Sequence, residues 1–344
     1  MRRRGPVALL IAASSVAAVG VVMLVGMTPA EPETVVVFPG PSADTLAREA
    51  AALHVPEEVE PEEERDPIPT DEDSRAAFEA RYPDQAAASA GDEPWALLIG
   101  INEHVGAVSD NYVSREDAES LREILLASGW SDDRIVLMTD TDATGVMIRE
   151  GLSWLARKAD DGSRVVFHFS GHSKKWYGDG GAILDEALWP TDDDFVRRDE
   201  LADMLTHVRH DQFWGNFATC NAEGFHEAGL AAPGRVLTYS SRTAEKSYED
   251  PSAGHSVWGA YLLDHALLRG GVTGPGNAVS VQDAFAFAAP MATTRTSTQV
   301  PYGPQTPVLV DDLGEPFVLS PGGPVEQAAV TGDLELSPPA IPTS

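Results

Sequence analysis

Short apolar runs alternate along this chain with longer stretches in which apolar residues return every three or four positions. The runs "WALLIGI" (95–101), "RIVLMT" (134–139), "RVVFHFS" (164–170), "FWGNFAT" (213–219), "RVLTYSS" (235–241) and "QTPVLV" (305–310) predict six strands. Between them, "SREDAESLREILLASGW" (114–130) sets Ala118, Leu121 and Leu125 on one face, with Gly129 as the stop. "TDATGVMIREGLSWLARKA" (141–159) opens on a Thr/Asp cap, and "RDELADMLTHV" (198–208), "HSVWGAYLLDHALLRG" (255–270) and "SVQDAFAFAAPMATT" (280–294) complete the helices. Strands separated by helices of this length predict an α/β fold: a six-stranded, mostly parallel sheet with helices on both faces. In such sheets the chemistry lies beyond the carboxyl ends of the strands.

The pattern also divides the chain. Residues 1–30 read as an N-terminal membrane anchor or signal peptide: Arg2, Arg3 and Arg4 precede an apolar stretch from Val7 to Met27, long enough to span a bilayer. An anchor would leave the arginines in the cytoplasm and export the rest; cleavage after Ala30 would release a secreted protein. Residues 31–90 are acidic and proline-rich, as in "VPEEVEPEEERDPIPTDEDS", and read as a mostly disordered linker. "ADTLAREAAALH" and "SRAAFEARY" are short helical candidates within it. The globular domain is expected over 91–320 and a disordered tail over 321–344.

Charge narrows the partners. Among 344 residues, 54 Asp and Glu against 24 Lys and Arg give a net charge of −30. No basic stripe exists to neutralise phosphates, so nucleic acid is excluded as a partner; the acidity would attract cations or basic partners, and its plainer reading is a solubilising surface. The oligomeric state is not legible.

One cysteine, Cys220, rules out an intrachain disulfide. It follows the fourth strand, as His172 follows the third on a Ser170-Gly171-His172 turn. If the two strands are neighbours, imidazole and thiol face each other over one edge. A thiol of ordinary pKa near ~8.5 is little ionised at neutral pH, and a histidine can pair with the thiolate or pass its proton to a leaving amine. Turn N–H groups at Ser173 and Cys220 are candidate oxyanion donors. The plain alternatives are a core histidine and an inert buried thiol.

Taken in order, "WALLIGINEH", "DAESLREIL", "IVLMTDTDAT", "FHFSGHS", "DEALWPTD", "DELADML", "FATCNAEGF", "SSRTAEKSYED", "HSVWGAYLLDHAL" and "QTPVLV" resemble the caspase-like cysteine peptidases of the caspase/hemoglobinase fold, closest to the bacterial metacaspase type. The spacing from His172 to Cys220 is near the ~50 residues by which a caspase histidine precedes its cysteine. The resemblance implies a cysteine endopeptidase with Cys220 as nucleophile and His172 as its partner, acting on polypeptide through an acyl-enzyme. It places Asp117, Ser170, Ala218, Ser240 and Ser241 along the substrate cleft. No organic cofactor is implied.

The chain departs from that family in places. Ser173 stands where glycine is usual, and a Cβ there is costly if φ is positive. Ala218 replaces the acid two before the cysteine, and "CNAEG" replaces Cys-His-Ser-Gly. Asp117 reads equally as a charge favoured at a helix N-terminus. Some members bind calcium; the matching positions are Asp185, Asp199 and Glu227, with Arg198 where another acid would sit. A calcium site and a solvated acidic loop stay open as alternatives, and no metal is assigned. These departures motivate a second reading, a catalytically silent caspase-like module that acts as a partner-binding scaffold. A hydrolase or transferase of another kind on a similar sheet is the third.

Overall fold

Six residues of the first strand, Trp95–Gly100, are all buried, and successive side chains enter different cores. Trp95, Leu97 and Ile99 join one apolar cluster; Ala96 and Leu98 join the other. Such alternation without a polar face arises when helices cover both sides of a sheet. The computed structural model describes residues 72–319 apart from 106–107, 179–180, 182, 273–278 and 300–301.

Along the chain the strands are β1 (Trp95–Gly100), β2 (Ile135–Thr139), β3 (Arg164–Ser170), β4 (Ser173–Tyr177), β5 (Ile183–Leu188), β6 (Val196–Arg197), β7 (Gln212–Ala218), β8 (Arg235–Tyr239), β9 (Glu249–Asp250), β10 (His255–Ser256) and β11 (Val308–Asp311). The helices are α1 (Glu72–Arg81), α2 (Pro83–Ala87), α3 (Ser114–Ala127), α4 (Gly145–Lys158), α5 (Arg198–Thr206), α6 (Val257–Gly259), which runs on as a π-helical segment Ala260–Leu268, and α7 (Val281–Thr296).

The main sheet has six strands in the order β11-β8-β7-β3-β1-β2, all parallel except β11, which runs antiparallel to β8. The expected six-stranded, mostly parallel sheet is therefore present, with each predicted strand in it. β3 and β7 are neighbours in register, Ser170 opposite Ala218, and Gly100 lies opposite Ser170 on the other side. A second, antiparallel sheet of β4, β5 and β6 leaves the tip of β3 directly after His172. The apolar pattern did not predict it, because its strands are short and only partly buried.

Helix α3 buries Ala118, Leu121, Ile124 and Leu125 at helical spacing and ends before Gly129, whose φ is +87. Its N-cap, Val113, has no side-chain oxygen to offer. Its first N–H groups are met from elsewhere: Glu249 accepts from Tyr112 and Val113 at 3.0 Å, and Asn102 Oδ1 accepts from Arg115 at 2.9 Å. Helix α4 caps itself, Thr144 accepting from Met147 at 3.2 Å.

The linker expectation for 31–90 needs correction at its end. "SRAAFEARY" lies mostly in α1, and Phe78 (0% exposed) packs against Trp154 of α4 with ring centroids 6.3 Å apart. Burying one such phenylalanine contributes about 2 kcal/mol, enough to hold a short helix that propensity alone would not. Residues 31–71 of that linker, the 1–30 segment and the 321–344 tail lie outside the described residues, and "ADTLAREAAALH" falls among them. Among the described residues no helix is long and apolar enough to cross a membrane.

Candidate functional site

The tips of β1, β3 and β7 end level, so the loops after them share one edge of the sheet. Gly171 N–H donates to the Ala218 carbonyl at 3.3 Å, and Ile101 N–H to the Ser170 carbonyl at 3.0 Å. Beyond these bonds the chains separate. His172 turns toward the loop after β1: its Nε2 donates to the Ser109 carbonyl at 2.8 Å, and its ring lies 5.2 Å from that of His104. Trp189 closes the other side at 6.1 Å. Burial, then the neighbouring His104, lower the His172 pKa to about 4, so the imidazole is neutral at neutral pH.

Cys220 is engaged by a different loop. Its Sγ donates to the Ser247 carbonyl at 3.7 Å, in the loop that follows β8. The next residue, Asn221, is left-handed (φ 57) and bonds through both its N–H and its Nδ2 to the Glu245 carbonyl. Asparagine tolerates that conformation better than most residues. The expected meeting of Cys220 with His172 therefore does not occur. Among the described residues the thiol makes no hydrogen bond or ion pair with any histidine, and no group of His, Cys, Asp and Glu could hold a metal. β3 and β7 are neighbours, as that expectation required, but His172 is engaged by the loop after β1 and Cys220 by the loop after β8. This corrects the expectation of a Cys220–His172 dyad and, with it, of a cysteine endopeptidase or hydrolase.

The other expected cleft residues are present but engaged within the fold. Ser170 Oγ donates to Asp117 Oδ2 at 3.0 Å, so these two do meet. Asp117 is fully buried, its Oδ1 taken by Ser256 N–H and by His255 Nδ1, each at 3.1 Å. Ala218, nearly buried, brings no polar atom. Ser240 Oγ accepts the Thr219 N–H at 3.1 Å, and Ser241 Oγ accepts the Ala222 N–H at 3.2 Å. Both hydroxyls also lie 3.0 Å from the Thr219 carbonyl. They fasten the cysteine turn from beneath. Ser173 is the first residue of β4 and is not among the positive-φ residues, so the feared Cβ penalty does not arise; its Oγ donates to the Cys220 carbonyl at 2.6 Å.

The positions matched to a calcium site do not fit a divalent cation. The Arg198 guanidinium lies among the acids, 3.0 Å from Glu227, 3.7 Å from Asp185 and 3.8 Å from Asp199, and supplies the positive charge itself. Under the cysteine turn lies a further buried pair, Lys175 and Glu186, 4.0 Å apart. Burial raises the Glu186 pKa and lowers that of Lys175. Lys175 Nζ also donates to the Thr243 carbonyl, and Gly224 packs against Glu186 so closely that a Cβ would overlap its carboxylate.

Sequence reasoning missed several residues that shape this edge. Asp140, left-handed at φ 48, accepts the N–H groups of Asn102 (2.7 Å) and Glu103 (3.0 Å) and pairs with Arg115 at 3.0 Å. It thereby pins the start of the loop that carries His104 and Ser109. The turn-rich "TDTDAT" after β2 was the one available signal.

Residues 93–217 match the family model of the caspase domain (peptidase C14). Metacaspase-4 of Arabidopsis thaliana is 28% identical over 167 residues, which are 46% of this chain and 39% of that protein. Metacaspase-1 of Candida albicans is 32% identical over 127 residues, 33% of this chain and 28% of that protein. The similarity thus spans well under half the length of these relatives. Among solved structures, protein GSU0716 of Geobacter sulfurreducens aligns with a TM-score of 0.48 at 16% identity, over 63% of this chain and 92% of that one. Sheet order, helices on both faces and the matched segment agree: the chain carries a caspase-like cysteine-peptidase fold and is related to the metacaspases.

Proposed function

We propose that this protein is a catalytically silent caspase-like module that binds a partner at the carboxyl edge of its sheet. The observation that carries the reading is the separate engagement of the two residues on which peptidase chemistry would depend: Cys220 on the Ser247 carbonyl, His172 on the Ser109 carbonyl. Ser240, Ser241 and Asp117, committed to internal bonds, fit a scaffold rather than a working cleft. Val105 and Tyr112, in the loop after β1, are 80% and 71% exposed. Apolar and aromatic side chains held in solvent are the kind an interface covers. With a net charge of −30, a basic partner is the electrostatically matched one.

An array of basic and acidic peptides, incubated with the full chain and read for both retention and cleavage, tests this. Retention of basic peptides that weakens with salt, without new termini, and unchanged in Cys220→Ala, is the expected result. Cleavage that disappears in Cys220→Ala would sink it.

A further inference from the structure

Arg157 and Lys158 end α4 just before β3 begins, where the helix meets α1, α2 and the chain that leads into β1. A cavity of about 150 Å³ lies between these segments. Phe78, Trp154, Ala86 and Ala90 give it an apolar lining, and Arg157, Lys158 and Glu79 give it its charges. A cavity of that volume holds a benzene ring, and so has room for a branched aliphatic side chain. Lys158 Nζ is spent partly on the Ala86 carbonyl, at 2.8 Å, and on that of Ala88. Arg157 is exposed; Glu150 and Glu79 attract it, and Arg75 of α1 repels it. Among the described residues no acid stands within ion-pair distance of Arg157, whereas Arg81, Arg122, Arg134 and Arg149 each have one. With 54 acids in the chain against 24 bases, an arginine without its own acid is unusual here.

The residues just ahead of α1 match that lining. They read Asp66-Pro67-Ile68-Pro69-Thr70-Asp71, and Glu72 opens the helix. Ile68 is the one large aliphatic residue between Val59 and Phe78, and acids flank it on both sides. The proline after it favours an extended backbone and the proline before it has a fixed φ, so docking costs this stretch little conformational freedom. The reach agrees. Four extended residues from Ile68 to Glu72 span about 13 Å, and six helical residues from Glu72 to Phe78 rise about 9 Å. A chain that folds back along α1 therefore brings Ile68 level with Phe78. We infer that residues 66–71 dock on their own chain, Ile68 filling the cavity between α1 and α4 and its flanking acids facing Arg75 and Arg157. Glu79 opposes that charge pattern, and Arg75, Arg157 and Lys158 outweigh it. The docked segment fastens the N-terminal helices to α4 over the contact of Phe78 with Trp154. The cavity lies toward the amino ends of the strands, away from the edge assigned to a partner, so this inference can fail while the partner reading stands.

Limited proteolysis of the full chain with a glutamyl endopeptidase tests this. The bond after Glu64 is followed by mass spectrometry, because the protease must grip residues 65–68 to cut it. A free peptide of residues 56–75 gives the unprotected rate. Wild type is expected to be cut there several-fold more slowly than the peptide. Ile68→Ser and Arg157→Glu should each bring the rate up to that of the peptide, and raised salt should do so in part. Ile68→Leu, which keeps the aliphatic bulk, should stay protected. Cleavage of folded wild type at the peptide's rate overturns the inference, as does protection that survives both Ile68→Ser and Arg157→Glu. Protection that grows with protein concentration would put the segment on a second copy and overturn its assignment to its own chain. Should Arg157→Glu not fold, Arg157→Gln takes its place, with the same partial or full loss of protection expected and its absence counting against the inference.

Discussion

Cys220 Sγ donates to the Ser247 carbonyl, 3.7 Å away, in the loop that follows β8, while His172 Nε2 donates to the Ser109 carbonyl in the loop that follows β1. No hydrogen bond joins the thiol to the imidazole. Alkylation of Cys220 by iodoacetamide in the native chain should therefore proceed at the same rate in His172→Ala as in wild type. A several-fold slowing in the variant would mean that the two side chains are in fact coupled.

Ser240 and Ser241 hold the cysteine turn through buried hydroxyls bonded to the N–H groups of Thr219 and Ala222. Either serine changed to alanine leaves a buried donor without its acceptor. Each substitution should lower the unfolding free energy in urea by about 1–3 kcal/mol. Losses below about 0.5 kcal/mol, the size ordinary at surface sites, would show that the turn is fastened by other means.

Gly224 meets Glu186 so closely that Gly224→Ala forces the buried carboxylate aside. Overpacking of this kind costs about 1–3 kcal/mol. The pair Gly224→Ala and Glu186→Ala should be non-additive, the second change relieving part of the first. Simple additivity in the double variant would place the strain elsewhere.

His255 and His172 shift in opposite directions, so they should act on stability in opposite pH windows. The folded pKa of His255 is raised above 6.5. Its contribution is fully present below 6.5 and is lost as pH rises through the folded value. His172 is lowered to about 4, so the unfolded chain binds the extra proton between 6.5 and 4, and stability falls as pH falls through that range. Urea midpoints of wild type against His255→Gln should converge as the solution turns alkaline, whereas those against His172→Asn should converge on acidification. Parallel curves in either comparison would contradict the corresponding shift.

The fold was largely legible because burial on both sides of a parallel sheet leaves a plain mark: five-to-seven-residue apolar runs separated by helical spacing, as in 95–101 and 114–130. The neighbouring of β3 and β7 was also within reach, since parallel strands joined by helices follow few orders. The small β4-β5-β6 sheet left no such mark, and neither did the packing of Phe78 on Trp154, which depends on a partner 76 positions away.

By itself the sequence determined the layered sheet, its strands and helices, and the placing of His172 and Cys220 after adjacent strands, because backbone hydrogen bonding and side-chain burial follow local periodicity. Tertiary structure alone decided that Cys220 and His172 bond to different loops, that Asp117 is hydrogen-bonded to His255 across 138 positions, and that Arg198 stands among the acids. Side-chain direction beyond a strand tip is set by whichever carbonyls and charges distant loops bring within a few ångströms, and no local pattern encodes those.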